Sequence, residues 1–352
     1  MEATFTQEQR DIEASLRSIA KEEKVTARDA LEGEWAPPAC DAVLLADFGL
    51  LGVPEAAGGM GSPLVDLLVA VEVLGEHLVP SRFPAHAAAV QLAAGLGALP
   101  DDVIEGRKVL TPAVDVPGAS GWSGQGAGAP PRAAAAATDA AAADGLVRTL
   151  VPYAAQADGF AALGADGVWI AVPAGITARE SFDPSVPLSD VTFSAPLDAA
   201  PAGSGPGRAA LVAAAELCGV AAGAIELGAE YARTRKQFGR VIGSFQGVAF
   251  QLTDAVKYRK AAWDLTLYAA WAIDKGRPEA AGLVHAAKAA AGKAAVFAAE
   301  RCIQVHGGMG ITMEADPHLF LRRAHVLDAW LGRGSWHRRR VGELQVQQRR
   351  GA

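Results

Sequence analysis

Cysteine is scarce in this 352-residue chain. Cys40, Cys218 and Cys302 stand far apart, with no CxxC pair and no neighbouring histidine pair. That spacing leaves neither a disulfide framework nor a zinc site, and the three thiols read as small buried hydrophobes in a reducing compartment. An excess of basic charge is also lacking. Lys and Arg number 32 against 39 Asp and Glu, the net charge is -7, and the pI is near 5.6. Such a chain is not by default a nucleic-acid binder. No apolar run of bilayer-spanning length reads as anything but an Ala-rich soluble helix. The opening Met1-Glu2-Ala3-Thr4-Phe5 is polar and acidic, unlike a secretory signal. The expectation is a cytoplasmic protein with neither nucleic acid nor membrane as partner. What the chain has in plenty is apolar residue, 51% of the total, enough for two or three domains with cores of their own.

Three zones follow one another. Residues 1–100 read as an N-terminal helical domain. Gln7 to Glu23 sets Ile12, Leu16 and Ile19 on one face at spacings of three and four, Cys40 to Phe48 is a second amphipathic piece, and Leu64 to Leu78 and Pro84 to Leu96 are strongly apolar helices. Residues 101–204 lose the helical period. Short β-like runs replace it, at Lys108 to Leu110, Leu146 to Val151, Gly167 to Val172 and Val191 to Phe193, parted by turn residues. The nearly pure alanine run from Ala133 to Ala143 is expected in a loop or weak strand despite its helix propensity. Residues 205–352 return to long helices, Arg208 to Arg235, Phe245 to Lys275, Pro278 to Gly307 and Pro317 to Leu331, which predict a four-helix bundle. The fold class is therefore α+β multidomain, with the basic runs at 338–340 and 349–350 as solvated helix ends.

Two motifs carry chemistry. One runs from Glu230 through Arg235, Gln237, Phe238 and Gly239 to Ser244-Phe245-Gln246; the other is Gln304-Val305-His306-Gly307-Gly308-Met309-Gly310. A guanidinium fork suits a pyrophosphate, an exposed ring suits a cofactor face, a glutamine suits an adenine or ribose edge, and glycines permit close backbone approach. The bland alternative is an Arg capping a helix end with Phe238 stapled into the core. Together with Phe48 to Glu55, Gly58-Gly59-Met60-Gly61 and Val71 to Gly75, these motifs and the three-zone order resemble the acyl-CoA dehydrogenase family over nearly the whole chain.

The resemblance implies FAD, an acyl-CoA substrate and an electron-transfer flavoprotein as acceptor. It assigns Arg235, Gln237, Phe238, Gln246, Gln304, Gly307 and Gly308 to cofactor contacts that cross a subunit interface. It also exposes a gap. The family's catalytic glutamate, which takes the substrate's α-proton, falls at Leu331, and the earlier position used by a minority of the family falls near Ala209. Glu216, two turns beyond, and Asp328, one turn before Leu331, are weak substitutes. In the middle zone, Leu110 to Asp115 and Leu150 to Asp158 stand where the family wraps the flavin ring, and the ring-facing chemistry there looks lost; Trp169 reads as core. The resemblance is closest to the non-catalytic subunit of heteromeric α2β2 bacterial enzymes, with a homologous catalytic partner supplying the glutamate, on acyl chains that include steroid side chains. Two other readings stay open: a self-sufficient homotetramer with a relocated base, and a non-enzymatic acyl-CoA-binding scaffold.

Overall fold

The computed structural model describes residues 4–114, 146–164, 167–194 and 200–351. The alanine run expected as loop or weak strand lies outside these residues. Six helices form the N-terminal part: α1 (Gln7–Glu22), α2 (Ala27–Glu32), α3 (Asp41–Phe48), α4 (Leu64–Glu76), α5 (Phe83–Ala93) and the short α6 (Asp101–Ile104). Thr6 and Thr26 each close a capping box, with Gln9 and Asp29 reaching back to the cap nitrogen. Helices α4 and α5 are buried nearly all round, as their sequences of Leu, Val and Ala require.

The middle part is β. One sheet joins β1 (Leu110–Val114), β3 (Gly159–Gly164) and β4 (Gly167–Ala171) in the order β1-β3-β4; β1 pairs parallel with β3 and β3 antiparallel with β4. The other joins β2 (Leu146–Pro152), β6 (Leu188–Phe193) and β5 (Gly175–Arg179) in antiparallel pairs. Phe160 and Phe193 meet edge to face at 5.4 Å between the sheets, and Trp169 is buried beside them.

Four long helices then build the bundle: α7 (Gly205–Thr234), α8 (Gln246–Asp274), α9 (Ala280–His306) and α10 (Pro317–Ala329), with a two-stranded hairpin, β7 (Lys236–Gln237) and β8 (Arg240–Val241), between the first two. A fifth helix, α11 (Gly334–Gly351), packs on α9 and carries the terminal arginines on its last turn. By length and composition α7 could cross a membrane, but 72% of its apolar window is buried inside the molecule.

Backbone contact joins the first and third parts. Helix α4 crosses α7 so closely that a Cβ on Gly75 would collide with the Glu216 carbonyl. A Cβ on Gly219 would strike that of Glu72, and one on Gly223 that of Glu76. Glycine is required there because any side chain would push the helices apart. At the start of α7, Arg208 donates to Gln91 Oε1 (2.7 Å), Asp274 Oδ1 (3.0 Å) and the Gly52 carbonyl, tying the bundle to α5 and to the loop after α3.

Candidate functional site

The hairpin after α7 has a two-residue loop, Phe238-Gly239, with φ of +52° and +78°. Paired strands on either side, Lys236 with Val241 and Gln237 with Arg240, make this the twisted turn that tight hairpins prefer. The turn aims Phe238 outward, 92% exposed, so the core-staple alternative for this ring does not hold. The Arg240 guanidinium lies 4.0 Å over the Phe245 ring and Ile242 N–H donates to the Arg235 carbonyl at 2.8 Å, fixing the hairpin on its stem. Tyr231 near the end of α7 stacks on His306 at the end of α9, centroids 4.1 Å apart. The helix ends bearing Arg235 and Gln304 therefore lie side by side, with Gln246 at the start of α8 next to them. Arg235, Gln237, Phe238, Gln246, Gln304, Gly307 and Gly308 are all exposed. Among the described residues the side chains of Arg235, Gln246 and Gln304 bond to nothing, while Gln237 Nε2 donates to the carbonyl of Lys236. Phe250, Met309, Ile311 and Met313 add exposed apolar surface at this end of the bundle.

Two cavities flank the loop between α10 and α11. The first, about 500 Å³, is walled by Pro112, Val114, Leu150 to Tyr153, Phe182, Trp330 and Arg333. Its β-strand wall is the stretch that the family resemblance aligns with a flavin cradle. Pro112 and Pro152 have no N–H to offer a ring edge. The Thr111 hydroxyl donates to the Pro152 carbonyl at 2.5 Å, and the Tyr153 hydroxyl to that of Ser185 at 3.0 Å. These residues do not fit a flavin held by this chain's own middle part.

Glu216 reaches the same cavity and is locked. Arg323, 1% exposed, donates to Glu216 Oε1 (3.1 Å), Asp183 Oδ2 (2.5 Å) and Ser185 Oγ (2.7 Å). Burial pushes the Glu216 carboxyl up and the Arg323 cation pulls it back down. Asp328 also borders this cavity, and its Oδ1 accepts the Gly334 N–H at 3.3 Å. Sequence reasoning did not foresee Arg323, because an arginine on an amphipathic helix reads as surface.

Leu331 faces the other way. It lies 9% exposed in the wall of the second cavity, about 530 Å³, with φ of +56°, and Gly332 follows at +107°. A Cβ on Gly332 would crowd Trp336 and His337. The loop is held from below by Lys288. Its fully buried ammonium donates to the carbonyls of Leu327, Asp328 and Gly332, each at 3.1 Å, and burial lowers its pKa to about 8. His337 Nε2 meets the Leu331 carbonyl at 3.1 Å, and His337 Nδ1 meets His285 Nδ1 at 2.8 Å. Among the described residues, the wall of this cavity holds histidines and arginines but no aspartate or glutamate. Ala209, near which the resemblance sets the alternative base, is a fully buried alanine of α7. No signal in the sequence pointed to Lys288 or to the histidine pair, since each is a lone residue on an Ala-rich helix or in an Arg-rich tail.

Residues 205–345 match the family described as acyl-CoA dehydrogenase, C-terminal domain. Acyl-CoA dehydrogenase FadE34 of Mycobacterium tuberculosis is 33% identical over 322 residues, 87% of this chain and 42% of that protein. The chain thus spans less than half the length of this relative. Among solved structures, the ChsE4–ChsE5 complex from Mycobacterium tuberculosis superposes with a TM-score of 0.78 at 24% identity, covering 98% of this chain and 99% of that one. The Tcur3481–Tcur3483 steroid ACAD superposes with a TM-score of 0.78 at 24% identity, covering 97% and 98%. Helical layers around a small β-part are the acyl-CoA dehydrogenase fold, and the chain's bundle, residues 205–345, is the part that matches the acyl-CoA dehydrogenase family.

Proposed function

We propose that this chain is the non-catalytic subunit of an FAD-dependent acyl-CoA dehydrogenase in the cytoplasm, joined to a homologous catalytic chain as α2β2. The observation that carries the reading is the second cavity. The position where the family keeps its base is an apolar leucine in a wall without a carboxylate among the described residues. The other candidates do not relieve this, because Glu216 is held by Arg323 and Asp328 accepts a backbone N–H. The opposite end of the bundle supports the second half of the proposal. There an exposed arginine, an outward phenylalanine and two glutamines without a side-chain partner among the described residues suit a flavin dinucleotide held by a neighbour.

Bound FAD supplies the hydride chemistry, with an electron-transfer flavoprotein as acceptor. This chain's part is to hold the dinucleotide through Arg235, Phe238, Gln246 and Gln304 and to leave the proton to the partner's glutamate. The named relatives, a two-protein complex and a steroid ACAD, support a heteromeric assembly acting on a bulky acyl-CoA such as a steroid side-chain thioester.

The test is the ratio of flavin to polypeptide, from absorbance after denaturation. The chain purified alone is expected to carry essentially no FAD. The chain co-purified with its partner should carry FAD that Arg235→Ala releases while both chains stay folded. One FAD per chain in the isolated protein would refute the reading.

A further inference from the structure

The histidine pair in the second cavity has only one self-consistent pattern of protons. A carbonyl oxygen only accepts, so at 3.1 Å from the Leu331 oxygen His337 Nε2 carries the hydrogen. A neutral His337 then has a bare Nδ1, and the 2.8 Å contact requires His285 Nδ1 to donate to it. His285 is left with an unprotonated Nε2. It is the one nitrogen of the pair without a partner among the described residues, on a ring that lines the cavity. The surroundings keep both rings neutral. Burial depresses His285 to about 4, with the Arg340 charge adding to it. Burial, Lys288 and His285 hold His337 at about 3.

The remaining wall narrows what this acceptor meets. Leu92, Val114, Leu163, Ile273, Val284 and Leu331 make it apolar. Arg340 lines the same cavity as His285, and one of its guanidinium nitrogens donates to Glu343. An apolar chain bearing a hydroxyl donor close to an anionic end satisfies all three features. We propose that the second cavity binds a medium-chain 3-hydroxy acid, with its hydroxyl donating to His285 Nε2, its carboxylate facing Arg340 and its alkyl chain against the apolar wall. The same cavity carries the subunit reading, but the two fail separately, since ligand preference is read by titration and the subunit reading by flavin content.

The test is calorimetric titration of the full chain with 3-hydroxydecanoate and, separately, decanoate. One neutral hydrogen bond predicts about tenfold tighter binding of the hydroxy acid. His285→Leu should erase that preference, and His285→Gln, which keeps an acceptor, should retain most of it. Equal affinities in the unaltered chain, no binding of either acid, or a preference that survives His285→Leu would each overturn the assignment. The ratio in the unaltered chain decides the matter even if a variant fails to fold.

Discussion

Arg323 is the group whose removal should be felt most. Its guanidinium joins the segment before β6, through Asp183 and Ser185, to the middle of α7, through Glu216. Arg323→Met preserves much of the side chain's bulk and deletes the charge. Asp183 would keep the Ser185 N–H (3.0 Å) and hydroxyl (2.5 Å). Glu216 has no other bond among the described residues, so it becomes the buried unpaired charge. Breaking a buried pair in this way costs about 3–5 kcal/mol, a large share of the roughly 5–15 kcal/mol that holds a domain folded. Because the lone carboxyl is what suffers, Glu216→Gln in the Arg323→Met background should restore about 1–2 kcal/mol. The single variant should also lose less stability at pH 5 than at pH 7.5. Burial raises the folded-state pKa of Glu216, and with the cation gone nothing opposes that rise. The folded chain then binds the extra proton, and its penalty fades as the pH falls toward the usual carboxylate range. Urea denaturation of the three proteins, followed by far-ultraviolet circular dichroism, gives the numbers. A loss under about 1 kcal/mol for Arg323→Met, or strict additivity in the double variant, would refute the argument that this arginine compensates a buried charge.

Other outcomes follow from the same contacts. Gly219→Ala places a methyl against the Glu72 carbonyl, and the forced separation of α4 and α7 should cost about 1–3 kcal/mol in denaturation; an unchanged midpoint would mean the helices are not in backbone contact. Burial holds His86, His285 and His337 at about 4, 4 and 3 against an ordinary 6.5, so below pH 6.5 these three side chains bind more protons in the unfolded chain than in the folded one. Melting temperature should therefore fall as the pH drops from 6.5 to 4, and a flat profile would show these rings protonating in the folded state. Leu331→Glu puts a carboxylate in the second cavity, but the first cavity still lacks N–H groups at Pro112 and Pro152; the isolated variant should show no acyl-CoA dehydrogenation in a dye-reduction assay, and substantial turnover would refute that account.

Helix positions were largely legible in the sequence because their periodicity is local. Gln7 to Glu23 and Leu64 to Leu78 were expected within a residue or two of where α1 and α4 lie. Strands β3 and β5 were not foreseen. Gly159 to Gly164 is mostly Gly and Ala, with only Phe160 to suggest a strand, and becomes one because β1 and β4 lie on either side. The helical pattern of the sequence ran the last bundle helix to Leu331, whereas α10 stops at Ala329 and Leu331 lies in the loop beyond it. That pattern could not show that the loop is left-handed there, or that Lys288, 43 positions earlier, holds it in place. The quartet around Arg323 was equally hidden, since its partners lie 107 to 140 residues away. Interactions of that reach leave no pattern in a single sequence.

The hairpin at the end of α7 is held in one shape by its own contacts. Its two rungs, its left-handed tip and the Arg240–Phe245 contact give it a set shape before anything touches it. A loop that had to order on docking would give up conformational freedom, and that loss would be subtracted from its affinity. Here most of that freedom has already been surrendered in folding. In the proposed α2β2 assembly Phe238 would meet the partner as a rigid key, so association should proceed at a rate governed by encounter and orientation, without a slow rearrangement after contact.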